Sequence, residues 1–170
     1  MKKILIVFLF CFLFLPTIVF SIDVDKATDL IMDRTNPWQE KVKLIDQVAP
    51  VGSEKVLEAL VNVYDDSFLH FGCPSILYHT IKGLRYFQGD KKALRVVRDG
   101  INYREPEVRM ISLEVLGLIG LEEDIDILKP FLSNENSFEY YYARSAIDNI
   151  KVRVRRSALS GTNSAAGAAK

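Results

Sequence analysis

The chain has 170 residues, 49% of them hydrophobic, and its 22 basic side chains balance its 22 acidic ones. Such a balance leaves no electrostatic footprint for nucleic acid, and the length suits one domain with a core of its own. Two cysteines are too few for a disulfide framework.

Lys2 and Lys3 precede an unbroken apolar run from Ile4 to Leu15. Pro16 interrupts it, and Val19-Phe20-Ser21 ends it on a small residue. That is the pattern of a secretory signal peptide over residues 1–21, with cleavage expected after Ser21. The competing reading, an uncleaved anchor, has to use Ile4 to Phe20, a stretch at the short limit for a span that contains Pro16. Cys11 lies mid-run, which does not suit a lipoprotein. Cleavage leaves 20 basic against 22 acidic side chains and a single thiol, Cys73. The mature protein is expected in the periplasm or outside the cell, with no stable membrane insertion and no nucleic-acid partner.

Helix follows helix from there. Asp23 to Arg34 places Val24, Ala27, Leu30 and Ile31 on one face. Asn36-Pro37-Trp38-Gln39 predicts a capped start to the next helix, which runs to about Val48 with Val42, Ile45 and Val48 inward. Pro50-Val51-Gly52 breaks it, and Ser53 caps a helix carrying Val56, Leu57, Leu60, Val61 and Tyr64. Asp65 to Cys73 reads as a connection. Pro74 opens a helix to about Phe87, and Asp90 caps another with Leu94, Val97 and Ile101. Pro106 opens a helix lined by Val108, Ser112, Val115, Leu116 and Ile119, which Gly120 ends as a C-terminal glycine. Asp124 to Leu132 is a short partner helix in which Pro130 ends the regular part. The last helix begins at Ser137 and carries Ala143, Ala146, Ile147 and Ile150. From Ser157 the chain is mostly Ala, Ser, Gly and Thr, too poor in apolar surface to offset ordering, so residues 157–170 are expected to be a disordered tail.

These helices repeat. Pro74, Thr80, Leu84 and Phe87 recur 32 residues on as Pro106, Ser112, Leu116 and Ile119, and Ala143, Ile147 and Ile150 echo the last three after 31 more. A period near 30 with helical patterning inside it means stacked hairpins: an all-α solenoid over residues 22–156. It also argues against a buried enzyme pocket.

The segment Glu105 to Gly120, with Val108, Arg109, Ser112, Leu116, Gly117 and Ile119, resembles a HEAT repeat of the short bacterial, phycobilin-lyase-like type. Its neighbours keep the seam positions but not the Val-Arg pair. The resemblance implies about four stacked units and a surface that binds a protein. It also implies a few enzymatic relatives: phycobilin lyases, and a di-iron hydroxylase built on paired His-Glu dipeptides. Here the histidines stand as His70-Phe71 and His79-Thr80, with no His-Glu, and a signal peptide does not suit a phycobilin lyase.

Four groups of residues are candidates for function. His70, Cys73 and His79 lie within ten residues, the raw material of a nucleophile pair or a metal site. Their spacing matches no structural zinc pattern, and surface or seam positions account for them. The second helices present Glu54, Glu58 and Asn62, then Lys91, Arg95 and Arg98, then Asp124 and Asp126. This acidic, basic, acidic ridge suits a protein partner better than a polyanion. Tyr140, Tyr141 and Tyr142 point about 100° apart on a helix, so at least one stays wet. Lys151 to Arg156 holds four cations in six residues, placed to complement the end of the last helix.

The function expected from all this is an exported, non-enzymatic interaction module, an adaptor or scaffold in the cell envelope, with no catalytic residue, cofactor or metal. The alternatives are an inhibitor or immunity-type protein that occludes one enzyme, and a Cys/His enzyme or metal protein.

Overall fold

In the computed structural model, residues 23–167 apart from position 71 are described, with side chains through Leu159. The expected signal peptide and its cleavage site lie outside the described residues. Among the described residues there are nine α-helices and no strand. They are α1 (Val24–Met32), α2 (Trp38–Val48), α3 (Glu54–Asp65), α4 (Ser67–His70), α5 (Pro74–Gly83), α6 (Lys91–Gly100), α7 (Pro106–Ile119), α8 (Asp124–Leu128) and α9 (Phe138–Gly167). Short 3-10 turns extend α2, α5 and α8.

The helices form two layers. In the first, α2 packs on α5, α5 on α7 and α7 on α9; in the second, α1 packs on α3 and α3 on α6. The hairpins α2/α3, α5/α6 and α7/α8 are flanked by α1 and α9, which makes the protein an all-α solenoid. The repeat positions form the seam: Thr80, Ser112, Leu84, Leu116, Phe87 and Ile119 are all buried. Burying such side chains contributes about 1.5–3 kcal/mol each relative to exposure, and the seam is where successive units share that burial.

Capping follows the sequence at Ser53 and Asp90, and Asp23 caps α1 as well. Asp90 Oδ1 accepts from the backbone of Lys92 (2.7 Å) and Ala93 (3.0 Å), satisfying donors that a helix start leaves free. The expected cap at Asn36 is corrected. Pro37 occupies the cap position without a side-chain bond, while Asn36 Nδ2 donates back to the Leu30 carbonyl at 3.0 Å and ties the loop to α1.

Four further features differ from the sequence expectation. The inward face of α2 is Lys41, Leu44, Ile45 and Val48, with Val42 only half-buried; a lysine in the buried stripe hid its register. Gly120 is not a left-handed helix end, since its φ is −64°. A side chain there would collide with the Leu116 carbonyl and crowd Asp124 Oδ2, so space selects glycine at this position. The connection between α3 and α5 contains α4, which buries Leu69 and His70. Finally, α9 runs to Gly167, through the segment whose composition predicted a disordered tail from Ser157. The Arg153 guanidinium fastens α9 to the end of α7, donating to the carbonyls of Gly117 (2.9 Å), Leu118 (2.7 Å) and Gly120. The alanines beyond carry high helix propensity.

Candidate functional site

The predicted ridge of charges on the second helices exists, and most of it is turned on itself. Lys55 Nζ meets Asp25 (2.9 Å) and Asp29 (3.7 Å). Lys92 Nζ meets Glu54 (3.0 Å) and Glu58 (3.5 Å). Arg95 makes a fork to both oxygens of Asp65 at 3.1 and 2.6 Å. Arg98 Nε meets Asp124 Oδ1 at 2.6 Å and its Nη2 meets Glu123 at 2.9 Å. The ladder therefore ties α1 to α3, α3 to α6, and α6 to α8. Of the predicted partner-binding residues, Glu54, Glu58, Arg95, Arg98 and Asp124 are all rungs. Asp126 pairs with Lys129 at 2.6 Å. Asn62 and Lys91 are exposed and stand outside the ladder.

Asp124 is a correction. It is 0% exposed: one oxygen holds Arg98 and the other accepts the Leu121 backbone N–H at 2.7 Å. It locks the α7–α8 turn and presents nothing to a partner. Tyr64 beside the ladder donates to Asp99 Oδ2 at 2.8 Å; burial first, and then that carboxylate, push its phenol far above its usual range.

The Cys/His group is dispersed. His70 is buried, and its Nδ1 accepts the Gly72 backbone N–H at 3.0 Å. Burial pushes the His70 imidazole down, against the pull of the Asp66 charge. His79 lies on α5 with Nδ1 2.9 Å from Asp46 on α2. Cys73 is half-buried at the start of α5. Among the described residues no group of three or more His, Cys, Asp or Glu is placed to hold a metal ion, and no helix is long and apolar enough to cross a membrane.

Sequence reasoning missed Lys41. It is 0% exposed, and its Nζ donates to the Leu69 carbonyl at 3.1 Å. Burial lowers the affinity of the ammonium for its proton, and Asp33 and Asp66 oppose that shift. Lys41 thus ties α2 to α4. The available signal was the spacing of Leu44, Ile45 and Val48, which puts position 41 on the same stripe.

The first layer is laced as well: Lys82 reaches Asp46 (3.5 Å), Arg85 reaches Glu114 (3.1 Å) and Arg109 reaches Glu139 (2.8 Å). Its outer face carries a groove between α7 and α9. Glu114, Tyr141, Tyr142, Ser145, Ala146 and Asn149 line it, around a cavity of about 270 Å³. Its floor is shallow because Gly117 and Ala146 let the two helices approach closely. Tyr141 is 62% exposed, with its ring edge-on to Tyr140 at 5.4 Å between centroids. Tyr86, at the end of α5, is exposed too. Of the three consecutive tyrosines, the one left wet stands over the groove.

No family model matches the chain, and no curated protein matches it in sequence. Among solved structures it is similar to human deoxyhypusine hydroxylase, solved in complex with glycerol, at a TM-score of 0.64 and 20% identity. The likeness covers 79% of this chain and 46% of the hydroxylase, so the chain spans about half the length of that protein. At this identity the match carries the fold: an all-α, HEAT-like stack of hairpins. It also corrects the expectation of a non-enzymatic protein, because a structure of this shape is that of a hydroxylase. A helical-repeat stack is therefore no argument against catalysis.

Proposed function

We propose that this chain is an exported helical-repeat module that binds one protein partner in the cell envelope, docking it over the groove between α7 and α9. The observation that carries this is the contrast between the two layers. On the second layer Glu54, Glu58, Arg95 and Arg98 already hold one another or their neighbours, so a partner has to compete with formed ion pairs. On the first layer Tyr141 and Tyr142 flank a groove that offers apolar area, a phenol, the Ser145 hydroxyl and the Asn149 amide. Exposed tyrosine at a concave patch is the composition of interface centres. Export rests on Lys2, Lys3 and the apolar run that follows them.

The test is positional. A photo-crosslinking amino acid replaces Tyr141 in one strain and Lys91, in the second-layer ridge, in another. A discrete protein adduct from position 141 and none from 91 is the expected result. Adducts from 91 with none from 141 return the site to the charged ridge and refute the groove.

A further inference from the structure

The α7/α9 groove differs from its neighbours in the charge of its walls. Between α2 and α5 the lining includes Lys82 and Arg85. Between α5 and α7 it includes His79, which stands beside Asp46. The cleft between α9 and the turn after α8 holds Arg144 and Lys151. The α7/α9 groove has one charged side chain in its walls, Glu114, and no base. Arg85 reaches Glu114 from the α5 side, but only at Oε1, at 3.1 Å. The Arg85 Nε is committed to the Lys82 carbonyl at 3.0 Å. Glu114 Oε2 accepts from none of the described residues, and its side chain is 42% exposed.

The other lining groups are acceptors and aromatic faces. Ser145 and Asn149 are exposed, and among the described residues their side chains hold no hydrogen bond. Tyr141 is exposed and Tyr142 half-buried. The face of an aromatic ring carries negative potential and attracts a cation within about 6 Å of its centre. The chain already uses this chemistry elsewhere: the Arg34 guanidinium stands 5.0 Å from the centre of the Phe68 ring while it pairs with Asp66 at 2.9 Å. A carboxylate oxygen, two neutral acceptors and two rings call for a flat cation with several donors. Guanidinium is planar, weakly hydrated and carries five N–H donors, whereas ammonium is a compact and strongly hydrated point charge. The cavity of about 270 Å³ suits one long side chain. On the adjacent flank of α9 the exposed Arg144 and Asp148 offset each other.

We propose that the α7/α9 groove receives an arginine side chain of the partner protein. The guanidinium lies against the Tyr141 and Tyr142 rings and donates to Glu114 Oε2, while Ser145 and Asn149 accept at its edge. This rests on the groove being the docking surface proposed above, and it adds the chemistry that the partner presents there. A neutral side chain of the same shape loses both the attraction of the rings and that of the carboxylate, on the order of tenfold in affinity.

The experiment is a nuclear magnetic resonance titration of the full chain with the peptide acetyl-Gly-Arg-Gly-amide, and with the same peptide carrying citrulline or lysine in place of arginine. The arginine peptide should shift the ring signals of Tyr141 and Tyr142 and the side-chain amide of Asn149 saturably. Citrulline, the neutral isostere, should bind on the order of tenfold more weakly, and lysine should fall between the two. Glu114→Gln should weaken the arginine peptide about two- to fivefold and leave the citrulline peptide unchanged. Tyr141→Phe/Tyr142→Phe, which keeps the rings, should bind as the wild type does. Tyr141→Leu/Tyr142→Leu should lose binding with an unchanged helical spectrum. Equal affinity for arginine and citrulline overturns the proposal, and so do groove signals that the arginine peptide does not move. Crosslinking separates this claim from the one beneath it. Adducts from position 141 without a preference for arginine keep the docking surface and overturn the guanidinium. Saturable arginine binding with adducts from position 91 alone refutes the docking surface instead, and with it the partner's arginine.

Discussion

Gly117→Ala should destabilise the protein, although alanine is the better helix former. Gly117 lies inside α7 and faces α9. A Cβ added there would stand 2.6 Å from Ala146 Cα and 2.9 Å from Ala146 Cβ. Carbon atoms settle at about 3.5–4.0 Å, so the two helices must separate by roughly 1 Å. The exchange gains about 1 kcal/mol in helix propensity, while overpacking costs about 1–3 kcal/mol. The upper part of that range applies, because the obstructing atom is backbone and cannot swing aside. The net loss is about 1–2 kcal/mol, a fall in Tm of about 2–8 °C for a chain of this size. Urea and thermal unfolding followed by far-UV circular dichroism measure it. Ala146→Gly should not rescue the variant, since Ala146 Cα remains in place. A Gly117→Ala protein as stable as the wild type, or more so, would show that α7 and α9 do not approach this closely, and the groove above them would lose its floor.

Three other outcomes are expected. Arg98→Ala should cost about 2–3 kcal/mol by urea denaturation, because it strands the buried Asp124 carboxylate; Arg95→Ala, on an exposed pair, should stay within about 0.5 kcal/mol, and equal losses would refute the distinction. Burial lowers the His70 pKa in the fold, so its neutral form is favoured there: its stabilising contribution is complete above the unfolded value of 6.5 and is lost as pH falls through the lower folded value. Tm should therefore begin to fall below about pH 6.5 in the wild type and lose that part of its pH dependence in His70→Gln; identical profiles would place the titration elsewhere. N-terminal sequencing of the exported protein should start at Ile22, and a chain in the membrane fraction still beginning at Met1 would sink the cleavage prediction.

The conclusions about function divide along the two layers. A helical-repeat stack is compatible with both binding and catalysis, as the hydroxylase of similar shape demonstrates. What distinguishes surfaces within the stack is whether their polar groups are already engaged. By that criterion the second-layer ridge is mostly internal structure, while the α7/α9 groove keeps Tyr141 exposed.

By itself the sequence determined the longer helices, their order and the seam, and left out α4. Leu84, Leu116 and Ile147 recur at spacings of 32 and 31 residues, and each helix carries its own apolar stripe. Periodicity is local information: a buried stripe has to repeat with the turn of its own helix, and a stacked unit has to repeat with its neighbour. The cost of leaving apolar surface wet enforces both, so both are legible in one dimension. What a polar residue meets is not local. Arg98 and Asp124 are 26 residues apart, and Arg153 lies 36 from Gly117. Nothing in either stretch of sequence says whether a charge will face water, a partner or another rung. Lys41 joins the buried stripe of α2 because α4 supplies the Leu69 carbonyl to its ammonium, and Gly120 ends α7 without a left-handed turn because the Leu116 carbonyl and Asp124 leave no room for a side chain. These outcomes depend on the separation and rotation of whole helices, set by the summed packing of many side chains, and only the tertiary structure decides them.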